Sequence, residues 1–185
     1  MPRFLAFVAS IGLLTGPALA AAQARPMPAS APLPAARQFQ PYRSQQGRFS
    51  VDFPPGTPQH AVKAIALQGG AASILHQTWV ELNHSSVAYM VMYNDYPADY
   101  VDQAPEDVLA SARSGAVDGK TVLSDRAITL NGVPGRAFTA TDNDGWHYTV
   151  HQYLAGARLY QLIVVSEKNH PAADAEEFMR SFRIR

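Results

Sequence analysis

Beyond residue 47, apolar and polar positions mostly alternate with period two. In RFSVDFP, Phe49, Val51 and Phe53 alternate with Ser50 and Asp52, the pattern of a strand with one buried face. Pro54-Pro55-Gly56 ends it. Residues 60–67, HAVKAIAL, predict a second strand, closed by Gly69-Gly70, and residues 73–82 a third that contains Trp79. Residues 87–93, VAYMVMY, are apolar at both parities, which predicts a central strand buried on both faces.

The period then changes. NDYPADYVDQAPED is polar, aromatic and marked by proline. Pro105 suits the first turn of a helix, and Glu106 and Asp107 suit its electropositive start. Val108, Leu109 and Ala112 make an apolar stripe that runs to Ala116, and Gly119 closes the unit. Alternation returns at 121–130, 136–141, 146–154 and 158–166. Asn131-Gly132 signals a tight turn, although Pro134 predicts a longer loop there. Asp144-Gly145 and the turn at Ala155-Gly156-Ala157 separate the last strands. A final helix opens at Pro171 and buries Ala175, Phe178, Met179 and Phe182. The predicted order is β-β-β-β-α-β-β-β-β-α. Short links imply antiparallel pairing, so the fold class is α+β: an antiparallel sheet of about seven to eight strands with two packed helices.

The first 46 residues follow other rules. Arg3 precedes an apolar run at 4–14 and the small-x-small site Ala18-Leu19-Ala20, the pattern of a secretory signal peptide over residues 1–20. Cleavage is expected between Ala20 and Ala21, with a second site at Ala22-Gln23-Ala24. Residues 21–46 carry Pro26, Pro28, Pro32, Pro34 and Pro41 and predict an extended spacer, with Phe39 and Tyr42 docking on the domain at its end. Residues 47–185 form the single predicted domain. Periplasmic or secreted localisation follows, with no membrane span in the mature chain.

Composition narrows the chemistry. With 185 residues and 47% hydrophobic content, the chain can bury one core. It has no cysteine, which removes disulfides, thiolate metal sites and thiol redox chemistry. Fifteen basic and fifteen acidic residues balance, with no Lys/Arg run, which argues against nucleic acid or an anionic membrane surface as the main partner.

Several motifs compete with plainer readings. His147 and His151 share a strand face but lie about 13 Å apart, too far for one zinc with ligand distances of about 2.1 Å. We read them as solvent-side strand histidines, with Trp146, Tyr148 and Val150 facing the core. Asp142-Asn143-Asp144-Gly145 resembles the start of a calcium loop, but the twelfth position is Tyr153, which cannot supply the bidentate carboxylate. It reads as a hairpin turn. No nucleophile elbow, phosphate cradle or dinucleotide fingerprint occurs, so the expectation is no enzyme, no cofactor and no metal. The remaining candidate is the acidic-aromatic loop at 94–107. Asp95, Tyr96, Asp99, Tyr100 and Asp102 combine carboxylates with aromatic rings, as partner sites do, and Trp146 at the hairpin start is a further candidate.

RFSVDFPPGTP, NDYP, ITLNGVPGRAF, GARLYQLIVV and AEEFMRSFRI occur in this order. In these stretches residues 47–185 resemble the PsbP-like family of exported domains, which includes the DcrB-type bacterial proteins. The resemblance implies an antiparallel sheet with helices packed on it, in proteins that mostly serve as assembly or binding subunits. It brings no catalytic residues, and nothing in the sequence points to a photosystem partner. The expected function is an exported non-catalytic binding or assembly module for an envelope protein partner. The alternative is a small-ligand carrier with a pocket between sheet and helix, lined by Trp79, Tyr89, Tyr93 and Phe138. A hydrolase ranks last.

Overall fold

The computed structural model describes residues 38–67, 71–82, 86–167 and 172–185, without the side chains of Asp99 and Val101. The elements are β1 (Gln40–Ser44), β2 (Phe49–Phe53), β3 (Gln59–Ala66), β4 (Ala72–Leu82), β5 (Val87–Asp95), α1 (Ala98–Val101), α2 (Pro105–Ala116), β6 (Thr121–Leu130), β7 (Val133–Thr141), β8 (Trp146–Ala155), β9 (Arg158–Glu167), α3 (Ala175–Ser181) and β10 (Arg183–Ile184). The fold is α+β, as expected from the alternation.

Seven strands form one sheet in the order β3-β4-β5-β9-β8-β7-β6, with every neighbouring pair antiparallel. The β5 strand is flanked on both sides, but its burial alternates: Tyr89, Val91 and Tyr93 are buried, while Met90 and Met92 are half-buried. The expectation of two fully covered faces is corrected, because the face carrying the methionines is only partly roofed. Asn131 (φ 50°) and Gly132 (φ 84°) make a two-residue left-handed turn that pairs Leu130 directly with Val133. The longer loop expected from Pro134 does not form. Pro134 lies where pairing to β8 has not yet begun, so its missing donor leaves no gap in that ladder.

A second, three-stranded sheet has the order β1-β2-β10. This corrects two expectations. The Phe49–Phe53 strand belongs to this small sheet, and Gln40–Ser44 is a strand inside the stretch read as spacer. Pro41 is tolerated because β1 is an edge. Phe39 and Tyr42 do dock: Phe39 lies edge-on to Tyr89, and Tyr42 packs on Phe53 and His60. The predicted signal peptide, with cleavage at Ala20 and Ala21, lies outside the described residues.

The two faces of the large sheet are covered differently. On one, Tyr89, Val91, Tyr93, Tyr153, Tyr160, Leu162 and Val164 meet Phe49, Val51 and Phe53 of β2 and Phe178, Met179 and Phe182 at α3. Phe182 is central, 5.7 Å from Phe49 and 5.5 Å from Tyr160 between ring centres, and it stacks on Tyr153. This is the aromatic face. The opposite face carries α2, whose Val108 and Leu109 are buried on Leu154 and Leu159. Asp125 of β6 ties the helix down, with an ion pair to Arg113 at 3.0 Å and paired bonds from Arg136 at 2.7 and 3.0 Å.

Candidate functional site

Beside α2 the second face opens into a half-open cleft of about 440 Å³. Its floor is built by strand parity. Met90, Met92 and Asn94 of β5 stand beside Leu159, Gln161, Ile163 and Val165 of β9, then Tyr148 and Val150 of β8, then Phe138 and Ala140 of β7. Ala112, Gly115 and Ala116 of α2 form one wall, and Ile65 of β3 stands on the other side. Leu159 and Val165 are six residue steps apart, so the trough is about 20 Å long.

The ends differ in chemistry. At one end Tyr96 lines the cleft, stacked on Tyr100 at 5.5 Å with rings 4° apart. Burial raises the Tyr96 phenol pKa, and Tyr100 raises it further. At the other end Lys120, the one charged lining residue among those described, lies 5.0 Å over the Tyr148 ring. The Tyr148 hydroxyl donates to Asp142 at 2.7 Å, and burial followed by that bond drives its pKa upward. Polar atoms in and beneath the floor are largely paired. Gln77 donates to the Met92 sulfur at 3.1 Å and Gln152 to Gln161 at 2.9 Å. Gln152 is fully buried, and its Oε1 has no partner among the described residues.

The predicted loop is only partly assembled into this site. Asp95 is engaged elsewhere: Arg158 donates to both its oxygens at 2.6 and 2.7 Å and holds its pKa below the usual carboxylate range. The Arg158 guanidinium also lies 4.9 Å over Tyr93, on the aromatic-face side. Tyr96 and Tyr100 sit at the cleft end. Asp102 is exposed, and the Asp99 side chain lies outside the described residues. Trp146 does not join them. It starts β8, whose far end, roughly 30 Å away along the strand, pairs with Arg158, which in turn pairs with Asp95 on its other side.

The carrier pocket expected from Trp79, Tyr89, Tyr93 and Phe138 is also corrected. Tyr89 and Tyr93 point into the aromatic core, while Trp79 and Phe138 lie on the cleft face. Of the four, Phe138 lines the cleft. Met90, Met92, Lys120 and Tyr148 were missed. The signal for the first two was the pair of flexible thioethers at one parity of VAYMVMY, which reads equally well as core.

The hairpin at 139–164 resolves as a turn. Asp142 accepts from the Asp144 and Trp146 backbone N–H groups and from the Tyr148 hydroxyl. Burial alone would raise its pKa, but these bonds lower it. Among the described residues no three His, Cys, Asp or Glu side chains converge. The two histidines are not on a solvent face. They share the aromatic face with Tyr153, whose hydroxyl lies 3.3 Å from His151 Nδ1. Burial lowers the His151 pKa against the opposing pull of Glu176. Tyr148 and Val150 face the cleft rather than the main core.

No protein-family model and no curated protein matches the chain. The solution structure of cyanobacterial PsbP (CyanoP) from Synechocystis sp. PCC 6803 matches with a TM-score of 0.53 at 10% identity, covering 85% of this chain and 98% of that one. A Pseudomonas aeruginosa protein of unknown function matches with a TM-score of 0.43 at 8% identity, covering 77% and 92%. The first likeness shows a PsbP-like fold. Among the described residues no helix is long and apolar enough to cross a membrane.

Proposed function

We propose that the chain is an exported, non-catalytic binding module whose cleft takes an elongated molecule with an apolar body and an anionic end. The observation that carries this is the cleft itself. Its volume of about 440 Å³ falls among ligand sites of roughly 300–1,000 Å³. Its floor is mostly thioether, aliphatic and aromatic, and Lys120, its one charged group among the described residues, sits at one end. Export is supported by the N-terminal pattern of Arg3, an apolar run and small residues before Ala21.

A fluorescent long-chain carboxylate such as cis-parinaric acid tests the reading. Saturable uptake is expected, lost in Met92→Trp, which fills the trough, and about tenfold weaker in Lys120→Glu. Uptake unaffected by both substitutions, or none at all, overturns the cleft as the site. Native mass spectrometry of protein purified without refolding then identifies a resident ligand.

A second reading, an envelope protein partner at the 95–102 loop, is favoured by the exposed Asp102, Glu106 and Asp107 at the cleft's Tyr96 end. A photoprobe replacing Asp102 in intact cells separates the two. A specific envelope-protein adduct favours the partner, and background labelling with probe uptake intact favours the carrier.

A further inference from the structure

The outward face of the small sheet gathers arginines that the sequence keeps apart. Arg43 of β1 and Arg183 of β10 are both direct cross-strand partners of Ser50 in β2. Directly paired residues share a face, and this one is opposite to the buried Phe49, Val51 and Phe53. Arg43 and Arg183 therefore flank one serine in a single row. Arg185 joins them, since its Nη2 donates to Ser50 Oγ at 3.1 Å while its backbone N–H donates to the Arg48 carbonyl at 2.9 Å. All three arginines are exposed.

Among the described residues their guanidinium groups make no ion pair with a side-chain carboxylate. Arg183 Nη1 donates to the Arg180 and Phe182 carbonyls at 2.6 and 2.7 Å, which fixes the fork against the backbone. The ion pairs among the described residues are those of Arg113, Arg136 and Arg158, and none involves this row. The acid on the same strand face is Asp52, two residues along β2 and opposite Pro41. Glu176 is coupled instead to His151, on the β8 side of α3. Arg43 and Arg183 stand on the strands either side of β2, about 10 Å apart across the sheet, so the row gathers positive charge on one exposed face.

We propose that this face, a local cationic row that the balanced net charge does not reveal, docks on the phosphate headgroups of an anionic phospholipid bilayer. A protein interface of stable kind needs an apolar or aromatic centre, and the outward positions here (Pro41, Arg43, Ser50, Asp52, Arg183) offer no aromatic anchor. Single-stranded nucleic acid needs aromatic stacking platforms, which are equally absent from this row. A flat, cationic, non-stacking surface matches a plane of phosphates, where guanidinium forks bind bidentately. The surface lies across the large sheet from the cleft, so it is a second site and does not depend on the cleft's ligand.

Co-sedimentation of the full chain with phosphatidylcholine vesicles, with and without phosphatidylglycerol, reads the effect. The measured quantity is the excess on anionic vesicles, so any contribution of the apolar N terminus common to both compositions cancels. We expect an excess that high salt abolishes, that falls about fivefold in Arg43→Gln and about 30-fold in Arg43→Gln/Arg183→Gln, and that rises in Asp52→Asn. The single variant guards against a folding defect, because the Arg43 side chain makes no hydrogen bond or ion pair among the described residues, and thermal melts should match. No excess, an excess unchanged in both variants, or salt-sensitive binding of duplex DNA in its place overturns the assignment.

Discussion

The two faces of the seven-stranded sheet solve the same problem with different amounts of material. Six inter-strand steps make the sheet about 29 Å wide. On the aromatic face a second sheet and α3 lie across it, and Phe49, Phe178 and Phe182 interlock with Tyr89, Tyr153 and Tyr160. On the other face α2 packs on β7 and β8. A helix about 10 Å across covers about two strands, so β5 and the part of β9 beyond Leu159 stay under an open trough. On the proposed reading, stability and binding are thereby separated. The closed face supplies aromatic burial, and the open face leaves Met90, Met92 and Ile163 available to a ligand.

The sharpest way to break this contrast is to truncate one side chain on each face. Phe182→Ala removes a fully buried ring and should cost about 3–5 kcal/mol in urea unfolding. Met92→Ala on the half-buried cleft floor should cost about 1 kcal/mol or less. Equal losses would mean the cleft is a second core rather than a site.

Next in size is the clamp where the two faces meet. Arg158 holds Asp95, bonds to the Gln46 carbonyl at 3.0 Å and covers Tyr93. Arg158→Met should cost about 1 kcal/mol, since the Asp95 carboxylate is largely exposed. The folded pKa of Asp95 is lowered, so its contribution is present above the ordinary carboxylate value of about 3.9. It is lost as pH falls through the lower folded value. Acid unfolding of Arg158→Met should lack that step, and a retained step would assign it to Asp125 or Asp142, whose pKa values are also lowered.

A smaller effect separates the faces by pH alone. His151 sits on the aromatic face with a lowered pKa, because burial disfavours the imidazolium. The unfolded chain then takes up a proton first, so stability erodes as pH falls from about 6.5 towards the folded value. His151→Gln should flatten that segment of the stability profile while leaving cleft binding unchanged. A flattened ligand-binding profile in its place would mean that the two faces communicate.

The alternation of Phe49, Val51 and Phe53, the period change at Pro105 and the Asn131-Gly132 turn made most elements legible, because each depends on local chemistry. What was hidden depends on pairing between distant segments. Gln40–Ser44 was obscured by Pro41, which is a poor strand residue everywhere but on an edge. Arg43 and Arg183 meet only through Ser50, a register no composition reveals. The cleft was half visible. The apolar residues of VAYMVMY and GARLYQLIVV at both parities announced two apolar faces, but not that one would lack a lid. The loop at 95–102 was legible as aromatic and acidic, while the engagement of Asp95 by Arg158 required β5 and β9 to be neighbours.

The smallest expected effect sharpens the contrast most directly at the cleft wall. Gly115 lies near the end of α2, lines the trough, and a Cβ built on it meets nothing within 4 Å. Glycine within a helix is less stable than alanine by roughly 0.5–1 kcal/mol, and less near a frayed end. Gly115→Ala should therefore raise stability by about half a kcal/mol, seen as a small shift in the urea midpoint with unchanged slope. The same methyl narrows the trough, so long-chain carboxylate uptake should weaken while anionic-vesicle binding stays constant. On the aromatic face the equivalent addition cannot be neutral. A Cβ at Gly135 would press on the Gln152 carbonyl and Tyr153 ring, so Gly135→Ala should destabilise. If Gly115→Ala destabilised as well, α2 would be seated more tightly than an open wall allows, and the cleft would lose its claim to be a mouth.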